Sequence, residues 1–218
     1  MRLYLKLSST TQLVPFDYQY FLLGKLHKWL GKNDYHDKLS LYSFGWLTGG
    51  EVQKTGILFK SCAKWFISFW DEDIGKQIIF NSLKDSDFIF GMKVMDISIK
   101  DTPSFSSRER FSVSSPVLVR NYTANKEVKH ILSDNPLADE LMTKTMQRKL
   151  REANINDDIS IRFDRDYHNP KTKLIRINGI ENRANLCPVF IEGNPESIKF
   201  AWNVGVGHST GSGFGALI

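Results

Sequence analysis

Leu3, Leu5 and Leu7 alternate with Tyr4 and Lys6, a period of two that predicts a strand with one buried face. Pro15-Phe16-Asp17 then opens a helix in which Tyr18, Phe21, Leu22, Leu26, Trp29 and Leu30 recur at helical spacing, and Gly31 supplies its stop. Residues 41–46 read as a strand, Gly49-Gly50 as a turn, and 57–59 and 65–70 as further extended stretches. Asp71, Glu72 and Asp73 sit where the first turn of a second helix favours negative charge, ahead of Ile74, Ile78 and Leu83. Met95, Ile97 and Ile99 alternate in a closing strand. The order is β-α-β-β-α-β, that of a ferredoxin-like domain.

The polar stretch 101–110, with Pro103 and three serines, is expected to be a linker. Beyond it, 111–120 reads as a strand, and Asn135-Pro136 starts a helix carrying Leu137, Leu141 and Leu150. Its acids come early and its bases late, as the helix dipole prefers. Residues 159–163 and 174–180 are expected to form a hairpin around Asn169-Pro170, with another strand at 186–191. The pattern therefore predicts an α+β protein of two ferredoxin-like (RRM-like) domains, 1–104 and 105–218. The second is less regular and ends in a glycine-rich loop. No sequence repeat accompanies the repeated element order.

Composition adds limits. The 218 residues are 41% hydrophobic and 24% charged, enough for a core, and the net charge of +5 with pI near 9.1 suits a polyanionic partner. Cys62 and Cys187 match neither a zinc pattern nor a disulfide framework, which fits a reducing cytoplasm. The alternating N-terminus is unlike a signal peptide, and no apolar run has membrane-spanning length.

The chemistry concentrates at two places. Gly205, Gly207, Gly211, Gly213 and Gly215 put five of the 15 glycines into eleven residues, leaving main-chain N–H groups able to converge on a phosphate. Too few residues follow for a P-loop or dinucleotide-binding helix. The plainer reading is that Phe214 and its flanking glycines close the second domain's core. Among the histidines (His27, His36, His130, His168 and His208), no pair has metal-ligand spacing, so neither metal nor cofactor is expected. His27 lies near the end of the first helix, off its apolar stripe. His36 and Lys38 share a polar loop and suit metal-free acid–base chemistry on a phosphodiester, although such a loop is ordinarily just solvated. Arg108 and Arg110 flank the expected interdomain groove as RNA contacts. Lys144, Arg148 and Arg151 form a basic stripe better read as a solvated helix face.

Three stretches carry a resemblance. The tail, Val204-Gly205-Val206-Gly207 followed by Gly211-Ser212-Gly213-Phe214-Gly215, resembles the C-terminal glycine-rich loop of the CRISPR repeat-processing endoribonucleases. Gln19-Tyr20-Phe21-Leu22-Leu23-Gly24-Lys25-Leu26-His27 resembles that family's first helix, and Lys38-Leu39-Ser40-Leu41-Tyr42-Ser43-Phe44 its second strand. The resemblance implies paired ferredoxin-like domains and metal-independent cleavage of CRISPR repeat RNA. The 2′-hydroxyl attacks, leaving a 2′,3′-cyclic phosphate and a 5′-hydroxyl.

Position by position, His36 matches the family's catalytic histidine and Lys38 a lysine that is often catalytic. His27 stands where several members carry a tyrosine, a departure that makes it a second acid–base candidate. The glycines and His208 would contact RNA. Further subunits of a CRISPR effector complex, and a monomeric or homodimeric state, stay open. So does the alternative of a non-catalytic RNA-binding subunit with the same fold. A generic tandem RRM-like binder is the remaining reading, and Phe44-Gly45-Trp46 is a poor match to its aromatic motif.

Overall fold

In the computed structural model, strand β1 (Arg2–Leu7) lies at the centre of an antiparallel sheet, between β5 (Ala63–Phe69) and β6 (Val94–Lys100). The structure describes residues 1–10, 12–31, 40–123, 125 and 127–218. With β2 (Tyr42–Phe44) beyond β5, the strand order is β2-β5-β1-β6. A hairpin, β3 (Glu51–Gln53) and β4 (Gly56–Leu58), is inserted between β2 and β5. The alternation of β1 buries Leu3, Leu5 and Leu7 against Leu22, Leu26 and Trp29 of α1 (Gln19–Leu30) and Ile74 and Ile78 of α2 (Glu72–Lys84). Gly31 ends α1 at φ 68, and the Asp71 carboxylate caps α2 by accepting from the Asp73 N–H.

Leu83, Met95 and Ile99, placed with the core by periodicity, are 71%, 65% and 54% exposed. Leu83 of α2 and Met95 and Ile99 of β6, an edge strand of the sheet, line one open groove where helix and strand leave their apolar faces uncovered.

The second half repeats the plan. Strands β7 (Arg108–Phe111), β10 (Ile159–Phe163) and β13 (Val189–Gly193) form a sheet in the order β10-β13-β7. Helices α3 (Leu137–Glu152) and α4 (Pro195–Val204) cover it, burying Met142, Met146, Leu150, Ile198 and Ala201 with Ile161, Phe163 and Ile191. The tail takes the place of the fourth strand. Ser112 N–H donates to Ile218 O at 3.1 Å, and Ile218 N–H returns the bond at 2.9 Å, with an antiparallel bridge between Val113 and Leu217. The fold is tandem ferredoxin-like, as the element order predicts.

Two local expectations are corrected. Strand β10 does not pair with the stretch after Asn169-Pro170; it pairs with β13. The hairpin is instead β11 (Lys171–Ile177) with β12 (Ile180–Leu186), closed by Asn178 (φ 48) and Gly179 (φ 77). Positive φ at both central residues matches the twist of the flanking strands, which is why Asn-Gly was the stronger turn signal. The strand expected at 111–120 begins earlier, at Arg108, and the chain turns irregular before β8 (Arg120–Tyr122), which pairs with β9 (Val128–His130). Helix α4 carries its own start signal: Asn194 accepts from Glu196 N–H at 2.9 Å, and Pro195 opens the first turn.

Candidate functional site

The glycine-rich stretch leaves α4 and folds into the seam between the two halves. Gly205, Gly207, Gly213 and Gly215 all have positive φ, and all five glycines are buried. A Cβ on Gly207 would fall 2.6 Å from Leu118 O, and one on Gly205 2.8 Å from Gly215 O. A Cβ on Gly211 would collide with the Ser40 hydroxyl, and one on Gly215 with Val206 O. These glycines therefore serve close main-chain approach, and most of their N–H groups are already engaged. Gly205 donates to Ala201 O, Gly213 to Thr210 O and Gly215 to Pro116 O. Phe214, 1% exposed, packs with Leu118, Ile175 and Ala184.

What the stretch presents is a short turn, Thr210–Ser212, held against α1 and β2 of the first half. Beside it lies a cavity of about 160 Å³ lined by Ser40, Thr145, Arg148, Lys149, Gly207, His208, Ser209 and Thr210. Lys149 Nζ donates to Thr210 Oγ1 at 2.7 Å. Arg120 donates to Ser209 Oγ at 3.1 Å and to Asn182 Oδ1 at 2.7 Å. His208 accepts at Nδ1 from the Arg120 N–H at 3.3 Å, which leaves its proton on Nε2. Burial, aided by the charges of Arg120, Arg148 and Lys149, pushes His208 down to about 4. It is neutral at neutral pH, with Nε2 as its ring donor.

The predicted site converges only in part. His36 and Lys38 lie outside the described residues, on the connection between α1 and β2. Its flanks are Gly31, at the end of α1, and Ser40, which lines the cavity. His27 sits in the last turn of α1. Among the described residues, no three His, Cys, Asp or Glu side chains gather as a metal site.

Residues 100–217 match the family model described as CRISPR associated protein Cas6, C-terminal. The chain belongs to the Cas6 family. Solved structures similar to the whole chain include a CRISPR associated protein Cas6 (20% identity, TM-score 0.85, covering 100% of this chain and 98% of that one). A Cas6-related protein from Pyrococcus furiosus (21%, TM-score 0.86, 100% and 97%) and a RAMP protein described as binding different RNA substrates (21%, TM-score 0.87, 100% and 99%) are equally similar. At these identities the likeness is one of fold. No curated protein matched the chain.

On this Cas6 fold, Arg108 and Arg110 stand apart from the glycine turn, on β7. Arg110 pairs with Asp164 at 2.8 Å and Arg108 with Glu192 at 3.2 Å. Of the basic stripe on α3, Lys144 pairs with Glu140 and Arg151 with Asp157, while Arg148 lines the cavity. The residue that sequence reasoning missed is Lys149, which reads as one more base in the last turn of a helix. Among the described residues, no helix is long and apolar enough to cross a membrane.

Proposed function

We propose that this Cas6-family protein binds CRISPR repeat RNA and cleaves it without a metal ion. A base, His36 or His27, takes the proton of the 2′-hydroxyl, and the freed 2′-oxygen attacks the adjacent phosphorus. The bond from phosphorus to the 5′-oxygen breaks, and the other imidazole protonates that oxygen. Lys38 stabilises the charge that accumulates on the phosphorane oxygens. The products are a 2′,3′-cyclic phosphate and a 5′-hydroxyl. The observation that carries this reading is the position of Ser40. Ser40, two residues after Lys38 in the sequence, lines a cationic cavity at the glycine turn, and this supports a reading in which acid–base groups and a phosphate-holding surface act together.

Incubating repeat RNA with the protein in excess EDTA and analysing the ends tests it. Cyclic phosphate and 5′-hydroxyl ends are expected. Loss of cleavage in EDTA, or products bearing a 3′-hydroxyl, would overturn the mechanism.

The second reading, an RNA-binding subunit that does not cleave, draws support from the RAMP protein, whose fold is as similar as that of the other relatives. Tight repeat binding with intact RNA at every time point would select it.

A further inference from the structure

Lys149 is 4% exposed, yet no carboxylate pairs with it among the described residues; its Nζ meets only the hydroxyl of Thr210. The contrast with Lys25 is direct. That lysine, 9% exposed, is neutralised by Asp85 at 2.9 Å. A buried ammonium without a counter-charge is costly, and burial with the nearby Arg148 charge pushes Lys149 down to about 7. Arg148 and Arg120 likewise have no acidic partner among the described residues, and Arg120 is held by amide and hydroxyl oxygens. Among the described residues, the cavity lining contains no Asp or Glu.

The main chain adds to this field. Ser209 holds the left-handed conformation (φ 57, ψ 38), which is unfavourable for a side-chain-bearing residue, immediately before the Thr210–Ser212 turn. Such an alternation makes a concavity of N–H groups suited to an anion. The N–H groups of Ser209 and Thr210 meet no acceptor among the described residues.

We propose that Lys149, Arg148, His208 Nε2 and the Ser209-Thr210 main chain form a binding pocket for one phosphate group, and that its source is the backbone of bound RNA. The assignment to RNA rests on the function proposed above; the pocket itself does not. The ligand supplies the counter-ion that Lys149 lacks among the described residues. In this arrangement the glycines fix the turn by packing, and Lys149, on a helix over fifty residues earlier, supplies the charge.

The test compares wild type, Lys149→Met and Arg148→Gln in two arms. In the first, melting is followed in millimolar inorganic phosphate against chloride of equal ionic strength. Phosphate should raise the wild-type melting temperature and have little effect on either variant. In the second, repeat RNA affinity is measured across a salt series. Lys149→Met should weaken binding about 10- to 100-fold, as for loss of a charge-assisted bond, and flatten the log–log salt slope by about 0.7. Methionine keeps the length of lysine without its charge; should that variant not fold, exposed Arg148 carries the same comparison. Equal phosphate response and equal RNA affinity in all three proteins would overturn the pocket. A phosphate response lost in the variants with RNA affinity unchanged would overturn the assignment to RNA. Wild type that responds to phosphate but binds no repeat RNA would defeat the proposed function and leave a free-phosphate pocket standing.

Discussion

The guanidinium of Arg2 donates to the main-chain oxygen of Leu217 across 2.8 Å, tying the first strand to the tail that completes the second sheet. Arg2 is 1% exposed, bonds the Ser68 hydroxyl, and lies over the rings of Phe66 (4.1 Å) and Trp202 (3.5 Å). Burial pushes it down to about 10, so it stays charged at neutral pH. One side chain from β1 thereby fixes the two halves around the seam that holds the glycine turn.

Arg2→Ala should destabilise the fold on the order of 3 kcal/mol, because it orphans buried acceptors and opens a cavity between two rings. For a chain of this size that lowers the melting temperature by roughly 6–12 °C. Arg2→Met, which refills the space, should fall between wild type and alanine. Unchanged melting of Arg2→Ala would show that the seam is held by other contacts.

Glycine positions should separate by their surroundings. Gly179 has φ 77 with nothing near a prospective Cβ, so Gly179→Ala should cost only about 1 kcal/mol, the penalty of the left-handed region. Gly215→Ala has the same penalty at φ 65 and a main-chain collision with Val206, and should melt well below it. Gly211→Val with Gly213→Val drives side chains into Ser40, Tyr42 and Phe44, so a large drop in melting temperature is expected. Calorimetry on the three proteins ranks them; equal melting of Gly179→Ala and Gly215→Ala would refute the packing role.

His36→Ala should slow cleavage about 10² to 10⁴-fold in single-turnover assays while RNA affinity is kept. His27→Ala should be comparable or milder. If His36→Ala cleaves at the wild-type rate while His27→Ala is inactive, the two roles are exchanged.

Asp85 gives a defined acid limb to stability. Side-chain hydrogen bonds from Lys28 (2.7 Å) and Lys25 (2.9 Å) hold its carboxyl near 2, below the ordinary 3.8. The unfolded chain then takes up the proton more readily than the folded one. The contribution is therefore complete above about pH 5, shrinks as pH falls through 3.8, and is gone near 2. Urea midpoints measured from pH 6 to pH 2 should converge for wild type and Asp85→Asn at the acid end. Parallel curves over that range would remove Asp85 from the acid response.

The order of elements was legible because it depends on local periodicity: Leu3, Leu5 and Leu7 mark a strand wherever the chain takes them, and Gly31 ends a helix through its own φ. The helix at 137–152 was equally plain from Asn135-Pro136 and its graded charge. Partner choice was not local. Which strand β10 joins depends on β13, some 30 residues on, and a closer turn signal at Asn169-Pro170 pointed elsewhere. The glycine run showed that main chain must pass closely there. Only the tertiary structure decided that what it approaches is Leu118, Ser40 and Val206. The burial of Lys149 was likewise decided in three dimensions: its helix brings it to the seam, and the charges it meets or lacks among the described residues come from elements distant along the chain. Sequence spacing records how a residue sits on its own element. The dielectric and charges it meets there come from residues distant along the chain, and those set its chemistry.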